Sequence, residues 1–248
     1  MKNVMLMLCM LLLAVPAFGL TYDQNVTPDV IFGSGNANGH FTVDQANGVE
    51  LGLRGKVRFN ASGLPENTFN ELAPGEYYFL AGVGTGQSDI TPTWAFEWSV
   101  NTDFAGAGNG LVGDFAYELG LDYDPSPATN YLVFDPITPN TLPMSAPYWD
   151  HSMGDNSTAN GAGVEAGDAP TYTSYLQTYN VAQNSWRYSW FDGFSTFNPN
   201  DTGVYDIYLA AFSSGTEVAR THIEVHVYNE TPVADEASTW GGVKSLFR

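Results

Sequence analysis

The sequence predicts an all-β protein folded as a two-sheet antiparallel sandwich, jelly-roll or immunoglobulin-like. Three observations carry this reading. With 26 Gly, 14 Tyr and 15 Phe against only 8 Lys and Arg, the composition is that of many short strands joined by turns. From Val49 to Asn60, apolar and polar residues alternate without interruption. Residues 203–227 repeat the alternation twice, on either side of a reversal at Gly215.

The chain opens with Met1-Lys2-Asn3, followed by an apolar run from Val4 to Val15, a break at Pro16 and small residues in Ala17-Phe18-Gly19. These are the parts of a secretory signal, so residues 1–19 are expected to be removed by cleavage after Gly19. The run is shorter than the roughly 20 residues a membrane span needs. No second apolar run follows, so no transmembrane segment is expected once the leader is gone. Cys9, the single cysteine, lies inside the leader. The expected mature chain therefore has neither thiol nor disulfide, and it is long enough to bury a sufficient core without them. Its expected place is secreted, extracellular or on the cell surface. The net charge is −19, with 27 acidic residues and Lys2 the one basic residue in the leader. That excludes nucleic acid and anionic membranes as partners, because neutralising phosphates needs clustered Lys and Arg.

The sandwich domain is expected over residues 20–229. In the clearest strand, Val49, Leu51, Leu53, Val57 and Phe59 share one face, and Glu50, Arg54, Lys56, Arg58 and Asn60 share the other. This reads as a long antiparallel strand with one buried face. Further strands are expected at Gly39–Asp44, Glu76–Val83, Thr93–Val100, Asp114–Asp122, Tyr131–Phe134 and Gln183–Phe191. Asn198 to Gly203 is a Pro- and Gly-containing turn. The hairpin that follows has the look of the last two strands of an immunoglobulin-like sandwich. The connection from Asp135 to Tyr172 is long and rich in Pro, Gly, Asn and Asp, and such loops are usually functional or ordered by something else. A short helical turn is expected within Ala169–Asn180. Residues 230–248 read as a flexible acidic linker and a short tip, Thr239–Arg248.

The phrases GLPENTFN, PTWAFEWSVNTD, YELGLDYDP, FDPI, DNSTANG, NVAQNSWRYSWF and TGVYDIYLAAFSSGTEVARTHIEVHV carry a family likeness. Over Gly39–Val227 the chain resembles uncharacterised exported bacterial β-sandwich proteins, many of which carry a PEP-CTERM sorting tail. The tail itself is absent here, since no Pro-Glu-Pro and no apolar run follow Val227. The resemblance implies export and a sandwich fold, and it brings no chemistry with it.

Candidate sites follow from residue types. There is no Gly-x-Ser-x-Gly, no His-Glu-x-x-His and no phosphate loop. Glu97 and Glu118, on neighbouring strands and beside aromatics, are the candidate catalytic pair for glycoside hydrolysis. Trp94 and Trp98 share a face with Phe96, and Trp186 and Trp190 share one with Tyr188. Such ladders either stack on sugar rings or fill the core. Asp122, Asp124, Asp135, Asp150, Asp155 and Asp168 lie on irregular backbone and are candidate calcium ligands, with Asx turns as the metal-free reading. No other cofactor is expected. Arg54, Lys56 and Arg58 form a basic stripe that either receives an anionic polysaccharide or pairs with carboxylates on adjacent strands. His222 and His226 stand about 13 Å apart along one strand and cannot share a metal. In the tip, Trp240, Lys244, Phe247 and Arg248 are candidate recognition residues for an export machine or a neighbouring subunit.

The first functional expectation is a non-catalytic secreted or surface protein with an adhesive, matrix or carbohydrate-contacting role. Its expected partners are polysaccharide or other surface proteins. The second is a secreted polysaccharide-degrading enzyme, and the third a structural subunit of a surface layer or appendage.

Overall fold

The computed structural model describes residues 19–140, 146–191, 193 and 196–232. The expected leader (apart from Gly19) and the tip with Trp240, Lys244, Phe247 and Arg248 lie outside the described residues. In chain order the strands are β1 (Thr21–Gln24), β2 (Phe41–Ala46), β3 (Val49–Val57), β4 (Glu71–Ala73), β5 (Glu76–Leu80), β6 (Trp94–Asn101), β7 (Ala116–Asp122), β8 (Tyr131–Phe134) and β9 (Ser152–Gly154). A helix, α1 (Ala169–Leu176), is followed by β10 (Val181–Trp186), β11 (Gly203–Ser213) and β12 (Thr216–Tyr228). They form two six-stranded sheets, ordered β1-β2-β3-β6-β10-β9 and β4-β5-β12-β11-β7-β8. The sheets are antiparallel apart from β5 beside β12, which is parallel. No helix among the described residues is long and apolar enough to cross a membrane.

The two sheets pack face to face over an aromatic core. Leu51, Leu53, Trp94, Phe96 and Trp98 come from the first sheet, and Tyr77, Leu119, Leu121, Ile207, Leu209, Ile223 and Val225 from the second. Trp94, Trp98 and Trp186 are thus core residues, each at most 1% exposed. The third of these rings meets Trp98 edge-on at 5.4 Å and Trp149 at 5.3 Å.

Three departures from the sequence reading have physical reasons. The strand expected over Gln183–Phe191 stops at Trp186, and Tyr188–Phe191 winds into a 3-10 turn. That turn sends Tyr188 into the core against Trp94 and Tyr123 and leaves Trp190 outside. The helical turn extends over two turns because Asp168 caps it, its side chain accepting from the Thr171 amide, with Pro170 in the first turn. Short strands β1, β4 and β9 also form, too brief to show a periodicity of their own.

The largest departure concerns the polar face of β3. Cross-strand register places Glu50 opposite Asn101, Gly52 opposite Ser99 and Arg54 opposite Glu97. Gln183 continues the row beyond Ser99. This row faces away from the core and is nevertheless buried: Glu50, Arg54, Asn101 and Gln183 have no exposed surface, and Glu97 and Ser99 only 1%. The cover is an irregular arm, residues 25–39. The arm needs partners for its backbone groups, as any buried chain without secondary structure does, and the polar row supplies them. The Thr27 amide donates to Glu50 and the Ile31 amide to Gln183. Asn101 donates to Thr27 O, and Arg54 to Ala37 O and Gly39 O. Gly52 leaves room for the arm, since a Cβ there would stand 2.6 Å from Val26 Cγ1. Val26, Val30, Phe41 and Val43 close a small second core beneath it. The long connection after β8 also leans on the arm, through Asn160 to Val30 O and Asn36 O and through the Gly161 and Gly163 amides. Both faces of β3 are therefore internal.

His151 is part of the core. It has no exposed surface and lies within 6 Å of Trp98, Trp149 and Trp186. Its Nε2 bonds Pro136 O, and its Nδ1 meets the Asn184 amide nitrogen. The second ring nitrogen faces a donor, so the neutral imidazole fits and a second proton does not. Burial is the main cause that pulls its pKa down to about 4 from 6.5. The unfolded chain thus binds a proton that the native state refuses between about pH 6.5 and 4. The stability contributed by the neutral ring is complete above 6.5 and falls as pH drops through that window. Urea denaturation is expected to show a loss on the order of 3 kcal/mol from pH 7 to pH 4 attributable to this group. His151→Gln is expected to flatten that part of the profile; an unchanged slope in the variant would contradict the assignment.

Candidate functional site

The site is built outward from β3 and β6. Arg54 and Glu97 are direct cross-strand partners. Arg54 Nε donates to Glu97 Oε2 at 2.7 Å, and Nη2 of the same guanidinium stands on the same oxygen. The guanidinium also stacks on Phe41, at 4.1 Å, and Phe69, at 4.4 Å. Two residues further along β3, Lys56 Nζ lies 3.4 Å from Glu97 Oε1 and donates to Asn36 Oδ1 of the arm. Burial pulls the pKa of Arg54 and of Lys56 below its ordinary value, and Glu97 opposes the shift in both. One carboxylate therefore neutralises two cations, with each of its oxygens engaged.

The strand then runs out toward the surface at Arg58. There Lys56, Arg58, Glu97 and Ser185, the arm residues Phe32, Gly33, Ser34 and Asn36, and Trp190 surround a pocket of about 280 Å³. Arg58 lies over the Phe59 ring at 4.8 Å. Arg187 lies over Trp190 at 4.9 Å and reaches Phe59 at 5.7 Å. Burial, and next the charge of Arg58, lowers the Arg187 pKa, and its Nε is shielded from solvent without a hydrogen bond. Among the described residues neither Arg58 nor Arg187 has a carboxylate partner. The remaining described basic residue, Arg220, lies on the second sheet in an ion pair with Glu217. On the other side of Trp190, a cleft of about 640 Å³ is walled by Tyr148, Trp149, Asp150, Trp186 and Phe191. Trp190, 41% exposed, is the partition between the two.

Other predicted residues separate. Glu97 projects from the outer face of the first sheet, whereas Glu118 on β7 alternates with the core residues Tyr117 and Leu119 and so faces outward from the second sheet. The hydrophobic core lies between them, so the two do not flank one bond. Of the predicted tryptophans, Trp94, Trp98 and Trp186 are buried in the core, Trp186 also touching the cleft of about 640 Å³, and Trp190 is exposed between the two pockets. The aspartates accept hydrogen bonds from nearby protein groups, most of them in their own loops. Asp122 accepts from the Asp124 and Asn130 amides, and Asp124 from the Ser126 amide. Asp135 accepts from the Ile137 and Thr138 amides, Asp150 from Asn184, Asp155 from the Ser157 amide and Asp168 from that of Thr171. None of the six joins a group of three side-chain ligands among the described residues. Sequence reasoning missed Arg187. Its signal was an arginine set between Trp186, Tyr188 and Trp190 in a chain with few cations.

Removing the Glu97 carboxylate would leave two buried cations without a counter-charge. Glu97→Ala is expected to cost about 3–5 kcal/mol in urea denaturation, whereas Trp190→Ala is expected to stay within about 0.5 kcal/mol of the parent because the ring lies at the surface. Equal effects of the two substitutions would contradict the assignment. Compared with protein-family models, with curated proteins and with solved structures, the chain matches none.

Proposed function

We propose that this is an exported, non-catalytic β-sandwich that binds an acidic polysaccharide in the pocket between Arg58, Lys56 and Trp190. One observation carries the reading: in a chain of net charge −19, Arg58 lines this pocket and Arg187 lies over the Trp190 ring that walls it, and among the described residues neither arginine has a carboxylate partner. A guanidinium fork matches a carboxylate or sulfate in shape as well as charge. A surface indole gives a sugar ring an apolar plane on which to stack. At physiological salt, repulsion from charges more than about 8 Å away is largely screened, so the cations at the pocket decide what enters.

The geometry favours binding over hydrolysis. Cleavage of a glycosidic bond needs two carboxyl groups on either side of it. Among the described residues, Glu97 is the one acidic residue that lines this pocket, and it is held by Arg54 and Lys56. Export belongs to the same proposal and rests on the leader-like first 19 residues; N-terminal sequencing of the mature protein is expected to begin at Leu20.

Calorimetric titration with an oligouronate and with a neutral oligosaccharide of the same length tests the reading. Binding is expected for the acidic ligand alone, without release of shortened products. Trp190→Ala and the double variant Arg58→Ala/Arg187→Ala are each expected to weaken it by roughly tenfold or more, about 1.4 kcal/mol. Equal affinity for the neutral ligand, or binding that survives the double variant, would overturn the site. Appearance of cleaved products would restore the enzymatic reading.

A further inference from the structure

We propose that Asp23, His40 and Glu71 form a divalent transition-metal site that ties the edges of the two sheets together. The inference is independent of the polysaccharide pocket. Asp23 lies on β1, the edge strand of the first sheet, and Glu71 on β4, the edge strand of the second. His40 is the residue before β2. Its Nδ1 lies 3.2 Å from Asp23 Oδ1 and 3.3 Å from Glu71 Oε2, and the three donor atoms all fall within 4.8 Å of one another. No other group of three such side chains occurs among the described residues.

The distances fit ligands around an ion better than they fit a plain ion pair. Charge-assisted N–H···O bonds run at about 2.7–2.9 Å. Here both separations are longer, and Nδ1 is shielded from solvent without hydrogen-bonding either carboxylate. Donor atoms of a tetrahedral site with bonds of about 2.0–2.1 Å stand roughly 3.3 Å apart, which is the spacing from Nδ1 to each carboxylate. The imidazole is also held in place before any ion arrives. It stacks on Phe69 at 4.5 Å, its own carbonyl accepts from the Tyr77 hydroxyl, and the preceding carbonyl, Gly39 O, accepts from Arg54. A cleft of about 290 Å³ beside Asp23 and Glu71, lined also by Tyr22 and Pro74, leaves room for water or a further ligand.

The donor set selects the metal class. One imidazole nitrogen with two carboxylate oxygens suits zinc, manganese or cobalt, whereas calcium takes six to eight oxygens. The strongest competing group is His226, whose Nε2 lies 3.2 Å from Glu224 and 3.7 Å from Glu76 on the outer face of the second sheet.

Calorimetric titration of the chelator-treated full chain with zinc chloride tests the proposal, alongside thermal melting with zinc and then with chelator. The parent is expected to bind one equivalent and to melt higher with zinc, reversibly. His40→Ala is expected to abolish that equivalent. Asp23→Asn and Glu71→Gln are each expected to weaken it by roughly tenfold or more, and His226→Ala to leave it unchanged. Because Asp23 is 68% exposed at its side chain and Glu71 is also partly exposed, those two variants carry the test should His40→Ala fail to fold. No uptake by the parent at a hundredfold excess of zinc, an equivalent that survives Glu71→Gln and Asp23→Asn, or one lost in His226→Ala would each overturn the site.

Discussion

The buried pair of Arg54 and Glu97 is the constraint on which the rest of this molecule depends. Taking two charges out of water costs several kcal/mol per ion, and mutual attraction offsets that only when the remaining donors and acceptors are also satisfied. Here the chain that does the burying supplies partners to Arg54 Nη1 and to Lys56 Nζ. The guanidinium donates to the carbonyls of Ala37 and Gly39, and Lys56 donates to Asn36. The arm thus lies over the charges because the charges bond it, and the charges stay paired because the arm excludes water. Two further features follow from its position. Phe32, Gly33, Ser34 and Asn36 become one wall of the charged pocket, and the carbonyl before His40 is anchored.

The sandwich was legible because its strands obey the simplest rule of side-chain alternation. Val49–Val57 and the β11–β12 hairpin show it plainly, and the register confirms which residues face the core. Alternation does not say what lies beyond the polar face. Glu50, Arg54 and Lys56 look in sequence like a solvated surface, and their burial depends on an arm with no periodicity of its own. The basic stripe was readable as a partner for carboxylates on the next strand, and Arg54 does pair with Glu97 there. The two tryptophan ladders looked equivalent, yet chain winding after Trp186 makes one member of them a surface ring. Asp23, His40 and Glu71 were invisible as a group because three separate elements, on two sheets, bring them together.

Charge distribution connects fold to proposed role. Arg54, Lys56, Arg58 and Arg187 all gather at one end of the β3–β6–β10 surface, while the outer face of the second sheet carries Glu76, Glu118, Asp206 and Glu224. The cations divide by depth. Arg54 and Lys56 are internal and serve the arm, whereas Arg58 and Arg187 lie on aromatic rings near the surface, where the same preference for planar stacking holds a guanidinium ready for an anion. The stabilising role and the proposed binding role therefore meet at Lys56, which bonds the arm and also lines the pocket, with Arg58 just beyond the end of β3.

Hydrogen exchange of the native protein, read at the amides of Thr27 and Ile31, tests the central claim most directly. Those amides donate to Glu50 and Gln183 beneath the arm. If the arm is an integral layer locked by the buried polar row, they exchange as slowly as the amides of β3 and β6 and share their opening free energy. Exchange of Thr27 and Ile31 within the dead time, while β3 and β6 remain protected, would show the arm to be a loose surface segment and would contradict the account.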